Sequence, residues 1–79
     1  MEQVSIIILI LMILGQNPEG QTTVDTMTSS KLCEGETQCK AVELGCTQAG
    51  SDAVERVYRN KGKDVAQYLC ARISLTDNN

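Results

Sequence analysis

The sequence predicts a small all-α domain: two or three short helices, about residues 37–45, 52–60 and 64–73, stapled by disulfides, with a kink or break near Gly62. Three observations lead there. Four cysteines stand in a chain of 79 residues that has no histidine. Apolar residues recur at helical spacing through the second half. No stretch alternates for long, and no Asn-Gly or Asp-Gly pair offers a tight hairpin turn.

The N-terminal residues are set apart from that domain. Val4 to Leu14 reads VSIIILILMIL, apolar except for Ser5, and GQNPEG closes the run. As a helix these residues span about 16 Å, against about 30 Å of bilayer hydrocarbon. The length suits the apolar region of a signal peptide, here residues 1–20, although MEQ supplies no Lys or Arg before it. Cleavage in 15–20, after Gly15 or Gly20, exposes Gln16 or Gln21, either able to cyclise to pyroglutamate. The alternative is that residues 4–14 stay as a hydrophobic anchor. Residues 21–30, QTTVDTMTSS, hold six hydroxyl side chains and no hydrophobic period, which predicts a flexible leader to a helical domain at 31–74. Residues 75–79 are expected to fray.

Spacing decides what the thiols are for. Five, six and twenty-three residues separate Cys33, Cys39, Cys46 and Cys70. A structural zinc site takes ligand pairs two to four residues apart, so that one tight turn aims both at the ion, and no such pair exists. A reactive thiol needs a base or a cation beside it, and only Lys31 and Lys40 lie near. An even count in a short exported chain reads as disulfides.

On a helix over 37–45, ended by Gly45, Cys39, Val42 and Cys46 share a face, and two cysteines seven apart lie about 10 Å apart along the axis. That exceeds the reach of a disulfide, about 7 Å between Cα atoms. Two pairings remain: Cys33–Cys46 with Cys39–Cys70, which is preferred, or Cys33–Cys39 with Cys46–Cys70. Both tie the first helix to the C-terminal one.

The second and third helices rest on caps and period. Ser51 caps DAVERVYRN, and Asp64 with Gln67 has the spacing of a capping box. Val54, Val57, Tyr58, Val65, Tyr68, Leu69 and Ile73 hold one helical phase. The predicted core is Leu32, Val42, Leu44, Val54, Val57, Val65, Leu69 and Ile73.

Charge narrows function. The formal net charge is −3, and removing Glu2 and Glu19 with a signal peptide leaves eight acids against seven bases, net −1. Such a chain lacks the electropositive footprint for nucleic acid and the cationic helix of a lytic peptide. One local exception is Arg56, Arg59 and Lys63, at i, i+3 and i+7: either a solvated face or an electrostatic contact for an acidic partner. No Gly-rich phosphate loop or G-x-S-x-G elbow occurs, and Glu34 and Glu36 merely flank Gly35. The expectation is a secreted, non-enzymatic ligand or modulator of an extracellular receptor, channel or partner protein, of hormone, pheromone, reproductive or venom type. It needs no cofactor and no metal. The alternatives are a membrane-tethered interaction protein and a protease inhibitor presenting the Cys33–Cys39 segment with Lys31 or Lys40 as bait.

Overall fold

The structure, a computed structural model, describes residues 3–61 and 64–75. Its elements are strand β1 (Val4–Gln16), strand β2 (Thr22–Glu34), helix α1 (Gly35–Lys61) and strand β3 (Val65–Ser74). The strands form one antiparallel sheet in the order β2-β1-β3, with the helix laid along one face. The all-α expectation is therefore overturned. Residues 37–45 and 52–60 belong to one continuous helix, and residues 64–73, expected as a third helix, fall almost wholly in β3. The helix runs to Lys61, and the kink expected at Gly62 lies outside the described residues.

Each departure has a physical reason. β1 holds five isoleucines, Ile6, Ile7, Ile8, Ile10 and Ile13, whose β-branches suit an extended backbone. It is paired on both sides, Val4–Gln16 against β2 and Ser5–Leu14 against β3, and its apolar run supplies both the side under the helix and the open side of the sheet. The hairpin that joins it to β2 uses Asn-Pro-Glu-Gly in place of a two-residue turn. Asn17 Oδ1 accepts hydrogen bonds from the amides of Glu19 (3.0 Å) and Gln21 (2.9 Å), and Gly20 takes φ 84°, which favours glycine. β2 is threonine-rich, another β-branched composition. It occupies most of the expected flexible leader.

The helix tolerates two internal glycines for different reasons. A Cβ at Gly45 would meet nothing within 4 Å, so Gly45 costs only helix propensity. A Cβ at Gly50 would fall 2.4 Å from Cδ2 of Tyr68, so glycine is what lets α1 lie against β3. At the helix start Gly35 has φ 75°, and Gln38 reaches back to accept the Glu34 amide at 2.5 Å.

Strand alternation sorts the side chains. Toward the helix point Ile7 and Leu11 of β1, Cys33 of β2, and Ala66, Tyr68, Cys70 and Arg72 of β3. The core is small: Ile7, Leu11, Cys33, Cys39 and Ala66, with Val42 and Cys46 packed against it. Of the predicted core, Val42 packs against it and Val54 and Val57 are half-buried. Leu32, Leu44, Val65, Leu69 and Ile73 are exposed, which corrects that expectation. Beyond β3, the Leu75 amide donates to the Val4 carbonyl at 2.8 Å, and residues 76–79 are outside the described part.

Candidate partner-binding surfaces and their covalent frame

The bridges are Cys33–Cys39 and Cys46–Cys70, with Cα separations of 5.1 and 6.2 Å, so the structure takes the second of the two schemes. The preferred pairing of Cys33 with Cys46 and Cys39 with Cys70 is corrected. Across the sheet, Cys33 stands beside Ser5 and Cys70 beside Leu9. That is four residues along β1, or about 13 Å. Cys39 and Cys46 are separated by about 10 Å along the helix above. The two steps nearly match, so each cysteine meets its partner level by level, and the crossed pairing would have to span a whole step. Both bridges join a strand to the helix, and β1 carries no cysteine.

An ion cluster reinforces the same interface. Arg72 of β3 donates from Nη2 to Glu36 at 2.8 Å and from Nη1 to Glu43 at 3.3 Å, both on α1. The hydrogen bond and then the charge of Arg72 hold the Glu36 carboxyl below its ordinary range, and the hydrogen bond to Glu36 raises Arg72. Sequence reading missed this cluster. Glu36 and Glu43 lie seven apart on one helical face, a signal that gains meaning only once Arg72 is placed on a strand beneath it.

The expected basic face is differently composed. Arg56 and Arg59 are exposed near the end of α1, and Lys63 lies outside the described residues. Arg59 pairs with Glu55 at 2.5 Å, both side chains largely exposed. Asp52, Glu55, Arg56 and Arg59 line one shallow groove, so two acids accompany the two arginines.

All four cysteines are bridged. Among the described residues, no three His, Cys, Asp or Glu side chains stand close enough to hold a metal ion. The Cys33–Cys39 segment passes directly from the end of β2 into the first turn of α1, with no extended bait loop between them. A small apolar cleft between helix and sheet is lined by Ile7, Leu9, Val42 and Ala49, with Ser29 and Lys31. No helix among the described residues is long and apolar enough to cross a membrane. No family model, curated protein or solved structure matches the chain.

Proposed function

We propose that this chain is a secreted, non-enzymatic binding protein, a ligand or modulator of an extracellular receptor, channel or partner protein. The observation that carries the reading is the pair of disulfides, since thiols stay reduced in the cytosol and bridges persist in oxidising compartments. Two staples on so small a core suit a domain that must keep its shape outside the cell. In this reading the exposed end of α1, with Arg56 and Arg59 beside Glu55, is the directional surface. Its arginines govern association rate more than affinity.

Expression in secreting cells tests it. The protein should accumulate in the medium with no cysteine labelled by alkylation unless it is first reduced. Retention inside cells with free thiols would sink the reading. A second reading, that residues 4–14 are retained in the mature protein, is favoured by their place between β2 and β3, because cleavage in 15–20 takes away a strand bonded to both. The mass and N-terminal residue of the recovered protein separate the two.

A further inference from the structure

We infer that the sheet face turned away from the helix is a self-association surface, occupied by the same face of a second copy of this chain. The inference rests on the reading that keeps residues 4–14, since β1 forms the middle of that face.

The face is largely apolar and open, and its centre is free of charge, with Glu34 placed at one end by the register. Met12 is 41% exposed, Leu14 39%, Val24 58%, Leu32 63%, Leu69 58% and Ile73 47%. The register places all six on one side, around a half-buried spine of Ile6, Ile8 and Ile10. Together they leave on the order of 600 Å² of apolar surface in contact with water, the upper end of what a monomer ordinarily shows. Two such faces in contact remove on the order of 1,200 Å², the lower bound for a specific interface.

Charge identifies the occupant. From Ile6 to Leu14, Val24 to Leu32 and Val65 to Ile73, no side chain on this face is ionisable, while Asp25, Lys31 and Arg72 all point to the helix side. A two-fold pair sets a face against its own copy, where a charge near the axis meets its like, and this face raises no such conflict. The remaining positions can be accommodated between sheets about 10 Å apart: Thr26, Thr28 and Ser30 on β2 are short, Ala71 on β3 is small, and the three hydroxyls and the Gln67 amide can find partners across the seam. A bilayer fits less well, because the face offers no Lys or Arg to anionic headgroups and the chain is acidic overall, at −3. Pairing through the outer edges of β2 or β3 leaves the apolar face wet.

The test uses the full chain, oxidised, with its N-terminus verified by mass. Sedimentation should show a reversible dimer. Leu69→Glu, and separately Leu32→Glu, should raise the dimer dissociation constant by roughly 100-fold, since each buries an unpaired carboxylate. Both side chains are more than half exposed, so circular dichroism and both bridges should be unchanged. Met27→Glu, at an exposed position on the opposite face, should leave the dimer intact. A full chain that stays monomeric up to its solubility limit overturns the inference, as does a dimer indifferent to Leu69→Glu and Leu32→Glu. A monomer that floats with phosphatidylcholine vesicles overturns it in favour of a bilayer. Secreted protein lacking residues 4–14 would defeat the retention reading by itself, whatever the full chain does in the centrifuge.

Discussion

The two faces of the sheet are held in different ways. On the helix side lie the two bridges, the Arg72 ion cluster, the close approach of α1 to Tyr68 and nearly all of the buried side chains. On the other side, comparable aliphatic residues stand half in water with nothing over them. Hydrophobic content is thus a poor guide to where this protein keeps its stability. Position relative to the helix decides it, and substitutions should be felt on one face as unfolding and on the other as changed association.

The largest effect should come from the long bridge. Cys46–Cys70 closes a separation of 24 residues and Cys33–Cys39 one of 6. Chain entropy alone assigns these about 3.5 and about 2 kcal/mol. Replacing Cys46 and Cys70 together by serine should therefore lower stability more than replacing Cys33 and Cys39, as read from urea midpoints under non-reducing conditions. The reverse order would mean that the buried Cys33–Cys39 cluster outweighs loop closure.

A glycine pair sharpens the contrast within the helix. Gly50→Ala drives a methyl group into the Tyr68 ring and should cost about 1–3 kcal/mol, as overpacking does. Gly45→Ala meets no atom and should gain up to about 1 kcal/mol from helix propensity. Thermal melts of the two variants should shift in opposite directions.

The smallest effect is electrostatic. The Glu36 carboxyl is held low by Arg72, so the pair's contribution is complete above the ordinary glutamate value of about 4.3. It is lost as pH falls through the lowered value. Arg72→Gln should lose a little stability at neutral pH and nothing at a pH below both values. Equal destabilisation at both would show that the arginine acts through packing of its stem.

Much of the frame was legible in the sequence. Disulfides in place of metal or reactive thiols followed from spacing, and helical conformation within 37–45 and 52–60 followed from period and caps, but the single helix that joins them did not, because Gly45 reads as a C-terminal cap. The error at 64–73 has a definite cause. Val65, Leu69 and Ile73 are four and eight apart, and an even step keeps residues on one side of a strand just as it nearly does on a helix. Tyr68 and Cys70 carried the missing information, since with Ala66 and Arg72 they complete an alternation. Residues 4–14 are ambiguous for another reason: an export signal and a central strand are both short apolar runs, and composition alone does not separate them. The Asn17–Gln21 turn was hidden because its side-chain hydrogen bonds do the work sought in an Asn-Gly pair.

The position of β1 also bears on how the chain is made. Ser5 pairs with Ser74, so a strand synthesised early waits for a partner synthesised near the end of the domain. Such long-range pairing is slow to form. During that interval Cys33 and Cys39, close in sequence, can already bridge, while Cys46 has no partner until Cys70 emerges. For as long as β3 is missing, the isoleucine-rich segment is open to any factor that captures apolar nascent chain. The order of synthesis thus leaves one edge of the most apolar strand in the sheet open until β3 emerges.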